Sequence, residues 1–453
     1  MKKLELITAA FSDFMWGTPL IILLLGGGFF FLLYSRFLPF RYFRHAINII
    51  RGKYDNPDEP GQINHFEAFS TALSATVGMG NVSGVAVAIA TGGPGAIFWM
   101  WISAFFGITT KFFTCTLAVM YRGRDSTGAL QGGPMYVIME GLGKNWKFLA
   151  ILFALAGMIG VLPVFQVNQY TQALRDIVLV DLGITGSFFT NLLTGIIITS
   201  IASLVIFGGI KRIGMVASKL VPFMAVLYVI AVMIILFSYS NEIIPGLKLI
   251  FTDAFSGKAV LGGALGQLII TGIKRGSFSN EAGIGTAPMA HGAAKTSEPV
   301  REGLVAMIEP IVDTMIICTM TALAIIVTGV WKNPDTNGIT LTLKAFEIGI
   351  PGIGHYILIL CITFFAMSSL FAFPYYGTKS FGFLFGAEKQ YLYNYFYIVS
   401  IILGATASLS VIINLIDGVY AIMAIPTMIS AILLAPKVRK ASLDYFRRLK
   451  KNE

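Results

Sequence analysis

The chain has 453 residues, of which 12% are charged and 56% belong to the set AVILMFWYC. A soluble globular domain has about 25% charged residues, so this chain must expose apolar surface to lipid. The composition therefore excludes a soluble enzyme, a disordered protein and a small secreted domain held by disulfides. The formal net charge of +10 fits the cytoplasmic loops of a membrane protein better than nucleic-acid binding.

Eleven apolar segments are each long enough to cross a bilayer, since about 20 apolar residues span its hydrocarbon core. In chain order they cover residues 16–38, 66–91, 96–121, 148–171, 188–207, 213–237, 260–293, 304–331, 354–385, 392–409 and 411–435. The first segment is long and is followed by basic residues, which favours a true span over a cleaved signal peptide. The remaining loops are short, so residues 1–453 are expected to form a single membrane transport domain.

Lys and Arg residues are concentrated in the segments on one side of the predicted bilayer. They include seven residues between positions 437 and 453. Because positive loops remain in the cytoplasm, this distribution predicts a multi-pass protein of the cell membrane. Its N-terminus is expected outside and its C-terminus inside.

Cysteine and histidine give no sign of a metal centre or a disulfide framework. Cys115, Cys318 and Cys361 all fall within apolar segments, which does not indicate disulfides or zinc ligands. The four histidines lack the HExxH spacing of a zinc site. No bound cofactor is therefore expected.

Two glycine-rich clusters interrupt predicted helices in the middle of the bilayer. Residues 76–84 read TVGMGNVSG, and residues 272–285 read GIKRGSFSNEAGIG. Free backbone groups are costly in lipid unless they line a cavity or bind a ligand. The clusters therefore predict a binding site near the bilayer midplane, where half-helix N-termini hold a carboxylate and freed carbonyls coordinate a cation.

The positions of the broken helices indicate an internal repeat. With the first span set aside, they are the first and sixth of the remaining ten, as in a five-plus-five inverted repeat. We therefore predict an all-α polytopic membrane protein. It comprises an extra N-terminal helix and basic loop (1–60), a first repeat (61–240), a second repeat (241–436) and a basic cytoplasmic tail (437–453).

Polar and charged residues within the predicted spans are further candidates for function. Ser368 and Ser369 are adjacent on the otherwise apolar ninth span, where such hydroxyls often bond only the preceding turn. Beside two broken helices, they favour oxygen ligands for a small hard cation. Intramembrane charges are functional candidates by default; here they are Glu67, Lys111, Glu309, Asp313 and Asp417.

Three motifs resemble the alanine or glycine:cation symporter family. They are GGPGAIFWMWISAFFG at residues 92–107, GGPMY at 132–136 and SNEAGIGTAP at 279–288, and the resemblance extends over residues 66–436. It implies membership of the amino acid–polyamine–organocation superfamily and the leucine-transporter fold. It also implies sodium-coupled uptake of alanine or glycine.

The resemblance implies substrate and ion roles for the first broken helix. Gly78 and Gly80, with Met79 between them, would present backbone amides to the substrate carboxylate. Thr76 and Asn81 would give oxygen ligands to a sodium ion beside that carboxylate.

A second sodium ion is implied between the first broken helix and the ninth span. Its ligands would be the carbonyl oxygens of Val77 and Phe365 and the hydroxyls of Ser368 and Ser369. Met367, beside this pair, would either floor a small apolar pocket or fill a packing gap.

The seventh span leaves two registers open. In one, Phe278 is the gating aromatic and Ser279 is a hydroxyl ligand. In the other, the break lies earlier, between residues 271 and 276, which places Ile273 and Gly276 in the substrate site. Lys274 and Arg275 lie between these options and are expected to line a water-filled vestibule.

The fourth span contributes Phe165 and Gln169, which share one helix face because they are four residues apart. In the implied fold this face lines the substrate site, and the alternative for Gln169 is an amide contact between helices.

The predicted function is sodium-coupled symport of alanine and/or glycine by alternating access, with sodium as the coupling ion. A proton-coupled permease for small amino acids is the alternative among transporters. A channel would need symmetric rings of ligands, which two unlike broken helices do not provide. An intramembrane enzyme is disfavoured because no catalytic motif such as HExxH or GxSxG lies at membrane depth.

Overall fold

The computed structural model describes residues 2–255, 264–333, 338–406 and 410–452. The predicted start of the seventh span at residue 260 and the predicted end of the tenth at residue 409 lie outside these ranges.

The first half of the chain forms helices joined by loops and one short hairpin. Its helices are α1 (Lys2–Met15), α2 (Thr18–Tyr34), α3 (Leu38–Arg41), α4 (Phe43–Ile50), α5 (His65–Thr76), α6 (Val85–Gly92), α7 (Ala96–Met120), α8 (Pro134–Tyr136), α9 (Lys147–Gly160), α10 (Val164–Leu174), α11 (Phe188–Ile206), α12 (Gly209–Ser238) and α13 (Ser240–Ala254). Turns of π-helix occur at Gly80–Gly84, Val137–Leu142 and Arg175–Leu179, and a 3-10 turn at Lys144–Trp146. Strands β1 (Gly123–Arg124) and β2 (Leu130–Gln131) pair antiparallel, with Gly123 opposite Gln131.

The described residues of the second half form helices joined by turns and short loops. Its helices are α14 (Ala264–Asn280), α15 (Thr286–His291), α16 (Pro299–Ala306), α17 (Thr319–Val327), α18 (Ile339–Gly349), α19 (Gly354–Phe385), α20 (Leu392–Thr406), α21 (Ser410–Ile422) and α22 (Ala424–Asn452). A π-helical segment, Ile311–Cys318, precedes α17, and 3-10 turns lie at Val330–Lys332 and Ala387–Lys389.

Within the described ranges, eight helical runs are long and apolar enough to cross a membrane. They are Lys3–Tyr34, Ala96–Met120, Lys144–Leu179, Phe188–Ile206, Gly209–Ser238, Pro299–Val327, Gly354–Phe385 and Ser410–Lys451. A bent pair formed by α5 and the helix that follows it adds a ninth candidate, and α20 is a shorter apolar helix. The protein is therefore all-α and polytopic, while the count of eleven spans stays a prediction.

The first glycine-rich cluster does break its helix. Helix α5 begins with a capping box, in which the Asn64 side chain accepts from the Glu67 amide at 2.8 Å and the Glu67 carboxylate accepts from the Asn64 amide at 3.0 Å. It ends at Thr76, and Val77 adopts an extended backbone conformation. The helix that resumes at Gly80 is tilted by 51° from α5, so the backbone between them leaves the regular hydrogen-bonding ladder.

The second break follows Asn280. The register that placed it between residues 271 and 276 is therefore wrong. Helix α14 is continuous to Asn280. Glu281, Gly283 and Gly285 then adopt φ values of 55°, 87° and 112°, a left-handed conformation that glycine tolerates well. Gly276 instead permits close packing, since a Cβ atom there would meet Met100 and Ser103 of α7.

The first and last spans are kinked helices that lie side by side. The first begins at Lys2 rather than at residue 16, because α1 and α2 join at Trp16–Gly17, where the α2 start carries a proline. The last is likewise divided into α21 and α22. Helix α1 packs against α21 and α2 packs against α22, and the Trp16 indole donates to the Asp417 carbonyl at 3.1 Å.

Helices α13 and α18 lie outside the eleven predicted apolar segments. Helix α13 carries Glu242, Lys248 and Asp253, so its sequence lacks an uninterrupted apolar stretch. The Asp253 carboxylate accepts from the Gly95 amide at 2.8 Å, which attaches α13 to the start of α7. The predicted fourth span is also divided, since α9 ends at Gly160 and α10 begins after Pro163.

Candidate substrate and cation site

A cavity of about 310 Å³ lies beside both helix breaks. Its walls come from α1, α10, α14, α19 and α21, together with the end of α5. The predicted site residues that line it are Thr76, Gly80, Phe165, Phe278 and Ser279. Residues from two broken helices and the fourth predicted span therefore line one cavity, and its place at the bilayer midplane stays a prediction.

Phe278 is the centre of an aromatic cluster in the cavity wall. The centroid of its ring lies 6.4 Å from that of Trp16, 6.0 Å from that of Phe165 and 5.8 Å from that of Tyr420. Its edge also faces Gly80, where an added Cβ atom would lie 3.8 Å from the ring. The Phe278 ring therefore bounds the space next to Gly80, and the three neighbouring aromatic rings hold it in place.

The backbone amides of the first break already have side-chain acceptors. The Gly78 amide donates to Oδ1 of Asn81 at 2.8 Å, and the Met79 amide donates to Oε1 of Gln166 at 3.1 Å. These contacts satisfy groups that the interrupted helix leaves free. Gly78, Met79 and Asn81 thus lie behind the cavity wall, and a carboxylate that binds their amides must displace these oxygens.

A cluster of oxygen atoms joins the first break to α19. The Ser368 hydroxyl lies 3.3 Å from the Val77 carbonyl and 2.9 Å from the Phe365 carbonyl. The Ser369 hydroxyl lies 3.4 Å from the Ala75 carbonyl and 3.3 Å from the Phe365 carbonyl. Both serines are fully buried. The four residues implied for one sodium site are therefore neighbours, and the Ala75 carbonyl adds a fifth oxygen.

Asp313 organises a second polar cluster behind the cavity. Its carboxylate accepts hydrogen bonds from the side-chain NH₂ group of Asn81 at 2.6 Å, the Ser279 hydroxyl at 2.8 Å and the Thr314 hydroxyl at 2.7 Å. Asp313 is fully buried, and no Lys, Arg or His in the described ranges forms an ion pair with it. A buried carboxylate requires a compensating cation or a proton. Asn81 and Ser279, both implied as sodium ligands, are thus held around an uncompensated acid.

Charged side chains line another part of the cavity. The Lys274 ammonium lies 3.5 Å from the Asp13 carboxylate and 3.8 Å from that of Asp417, and the Ser12 hydroxyl donates to Asp417 at 2.6 Å. Arg275 also lines the cavity. Lys274 and Arg275 therefore belong to the cavity wall, and the water-filled vestibule stays a prediction.

Four other predicted residues lie away from the cavity. Gln169 accepts from the Ser83 hydroxyl at 2.8 Å, which is a contact between helices. Ile273 and Met367 are buried without lining the cavity, and Gly276 faces α7. These positions favour packing over substrate contact.

Sequence reasoning underestimated Asp313 and Gln166. Asp313 stood only among the intramembrane charges, and its nearness to Asn81 depends on packing between distant segments. Gln166 adjoins Phe165, and the helix face defined by Phe165 and Gln169 does not include it. A polar side chain within an otherwise apolar span is the signal that the sequence offered for Gln166.

The sequence profile of the Sodium:alanine symporter family matches residues 1–453. An uncharacterized transporter of Haemophilus influenzae is 42% identical over 99% of this chain and 98% of its own length. The sodium/alanine symporter AgcS of Methanococcus maripaludis is 39% identical over 98% of this chain and 97% of its own. These relatives are transporters, so the chain is not an enzyme.

The crystal structure of MhsT in complex with L-phenylalanine matches with a TM-score of 0.61 and 14% sequence identity. The match covers 83% of this chain and 89% of MhsT. At this identity the similarity concerns the fold alone, and it agrees with the expected leucine-transporter fold.

Proposed function

Because the chain belongs to the sodium:alanine symporter family, we propose that it couples inward sodium movement to uptake of alanine and/or glycine by alternating access. The substrate occupies the cavity beside Gly80 and Phe278, and sodium is the coupling ion.

The observation that carries this proposal is the uncompensated carboxylate of Asp313. It is buried, it is bonded to Asn81 and Ser279, and it has no cationic side chain as a partner in the described ranges. Sodium prefers oxygen ligands, which carboxylates, hydroxyls and carbonyls supply. A sodium ion at this position neutralises the acid and adjoins the first helix break. Thr76, which lines the cavity, contributes its carbonyl oxygen to the same ion.

The oxygen cluster between the first break and α19 supports a second sodium ion. Its hydroxyls now bond the carbonyls of Val77, Ala75 and Phe365. An ion at the centre replaces those hydrogen bonds with electrostatic contacts to the same oxygens. Because Ala75 and Val77 belong to the broken helix and Ser368 and Ser369 to α19, ion binding fixes the two elements relative to each other.

Substrate size follows from the aromatic cluster. The ring of Phe278 closes the space above Gly80, so a methyl or hydrogen side chain is accommodated more easily than a branched one. The substrate carboxylate replaces a side-chain oxygen that now accepts from the broken helix. It takes the place of the Gln166 oxygen at the backbone N–H of Met79, or of the Asn81 oxygen at the backbone N–H of Gly78. Both displaced groups are uncharged amides, which makes the exchange favourable for an anion.

The arrangement in the membrane completes the proposal. We place eleven spans in the bilayer, with an extra first helix and two inverted repeats of five. The N-terminus lies outside the cell membrane, and the basic tail from residue 437 lies in the cytoplasm.

The decisive experiment measures alanine and glycine uptake by proteoliposomes with sodium and proton gradients imposed separately. We expect the sodium gradient alone to drive accumulation of alanine. Accumulation driven only by a proton gradient would contradict sodium coupling and support the proton-coupled alternative. Absence of alanine and glycine uptake under both gradients would contradict the substrate assignment.

A further inference from the structure

A chain of five buried ionisable side chains runs through the protein outside the substrate cavity. Its members are His65 at the start of α5, Glu302 of α16, His291 at the end of α15, Glu309, and Lys111 of α7. None is more than 1% exposed. The substrate and sodium sites use none of them.

Each member of the chain contacts the next. Glu302 contacts Nδ1 of His65 through one oxygen, and its other oxygen lies 2.5 Å from Nδ1 of His291. Nε2 of His291 contacts Glu309, and the Lys111 ammonium donates to the second oxygen of Glu309. The contacts are therefore continuous from α5 to α7.

The number of protons in this chain follows from its geometry. Every contact between a carboxylate oxygen and a nitrogen needs one proton between the two atoms. Lys111 supplies one to Glu309, and a neutral His65 supplies one to Glu302. His291 faces a carboxylate on both sides, yet a neutral imidazole carries only one N–H. The chain therefore accommodates one additional proton at His291.

That proton also makes the chain neutral overall. The two carboxylates are then balanced by Lys111 and by an imidazolium at His291. Neutrality matters here because an uncompensated charge is costly in a buried site.

Other ionisable groups near the chain do not replace this proton. Those that face it from neighbouring elements are Asp55, Cys115, Arg122, Glu281, Arg301, Asp313 and Tyr376. Arg122 bonds backbone carbonyls, including those of Gly292 at 2.8 Å and Thr296 at 2.9 Å, and Arg301 pairs with Glu59 at 3.7 Å. Within the described ranges, neither Arg122 nor Arg301 bonds the carboxylate of Glu302 or Glu309.

The His65 end of the chain is close to water. Nε2 of His65 is buried without a hydrogen-bond partner and lies 3.9 Å from the Asp55 carboxylate. Asp55 is 33% exposed and lines a surface cavity of about 250 Å³. A single water molecule spans such a gap between two polar atoms.

We propose that these residues form a proton-binding site, with His291 as the proton carrier and with Asp55 and His65 as its route to water. A proton arriving at Nε2 of His65 allows that ring to pass its Nδ1 proton to Glu302. Glu302 carries it to Nδ1 of His291. The His65 ring is left with its proton on Nε2 and turns over to restore an N–H toward Glu302, so one proton enters and His291 gains one. The site joins α5 to α15, the two half-helices on one side of the breaks, and a parallel bridge between Ile63 and Ala294 holds them together there.

Histidine NMR on the full-length protein in detergent tests the site without sodium or alanine. The whole protein has four histidines. In a ¹⁵N-histidine-labelled sample, the signal that is lost in His291→Gln belongs to His291. We expect both ring nitrogens of His291 to be protonated at neutral pH. A neutral His291 ring would overturn the proposal. If His291→Gln does not fold, a variant with His45 and His355 replaced by Gln keeps the site intact and leaves only the signals of His65 and His291, which His65→Phe then tells apart.

The route is tested by His65→Phe, with His355→Phe as the control at an accessible site beside Asp181. We expect hydrogen–deuterium exchange at the His291 ring to slow at least about tenfold in His65→Phe and to stay unchanged in the control. Unchanged exchange in His65→Phe would overturn the route. Because neither measurement uses substrate, a failure here is distinct from a failure of sodium-coupled alanine uptake.

Discussion

The hydroxyl oxygen of Ser369 lies only 2.4 Å from the position that a Cβ atom on Gly78 would take, which is closer than van der Waals contact allows. The absence of a side chain at Gly78 therefore brings the broken helix within reach of α19. The hydroxyl that fills this space also bonds the carbonyls of Ala75 and Phe365. Helix break and oxygen cluster are consequently parts of one packing arrangement.

Gly78→Ala is expected to weaken sodium binding, because the new methyl group pushes the Ser369 hydroxyl out of the oxygen cluster. The sodium concentration for half-maximal alanine uptake should rise by about tenfold, which corresponds to roughly 1.4 kcal/mol. Gly84→Ala is the matched control, since an added Cβ atom there meets nothing within 4 Å. Equal sodium dependence in the two variants would argue against the second sodium site.

Replacing both Ser368 and Ser369 with Ala should raise the sodium requirement further, because two oxygen atoms are lost. We expect an increase of about tenfold or more in the half-maximal sodium concentration, measured by uptake into proteoliposomes. Ser380→Ala on the same helix is the control, since the Ser380 hydroxyl is buried without a hydrogen-bond partner. A sodium dependence like that of the control would remove the serines from the site.

Asp313→Asn tests whether the buried acid is neutralised by sodium. Ligands that bind only the folded state raise its stability, so sodium should raise the melting temperature of the unmodified protein in detergent. The variant lacks the charge and should lose that increase, while remaining stable without sodium because no buried charge is left unpaired. The control is Asp125→Asn, in the hairpin loop, where Asp125 bonds Thr127 and Gln131. A sodium-induced shift that persists in Asp313→Asn would contradict the assignment.

Phe278→Ala is expected to broaden substrate selection, since it removes the ring above Gly80. In a packed site one methylene discriminates by about 1–3 kcal/mol, so leucine should compete with alanine at least about tenfold better than in the unmodified protein. The control is Phe223→Ala, because the Phe223 side chain is 55% exposed and lies away from the cavity. Leucine competition that does not change would mean that another group sets the substrate size.

The sequence predicted the elements that depend on local chemistry. The first break follows from Gly78 and Gly80 together with polar groups at membrane depth, and the predicted ninth span coincides with α19 (Gly354–Phe385). The second break was harder to locate. Gly276 and Gly283 lie in the same glycine-rich stretch, and only the packing against α7 shows that Gly276 remains helical whereas Gly283 adopts a positive φ.

Contacts between distant segments could not be predicted in the same way. Asn81 and Asp313 are separated by 232 positions, and nothing local to either residue indicates the other. The same holds for His65 and Glu302, which lie 237 positions apart. Long apolar runs locate membrane-spanning helices, but they do not determine which buried polar faces will meet.

The first helix has a consequence for protein engineering. Ala9, Ser12 and Asp13 form part of the cavity wall, and Ser12 and Trp16 both bond Asp417. A truncation that starts at Thr18 therefore does not isolate a minimal ten-helix transporter. It removes the part of the cavity wall that α1 forms and leaves Lys274 without its Asp13 partner. Any shortened or N-terminally fused version therefore has to preserve α1.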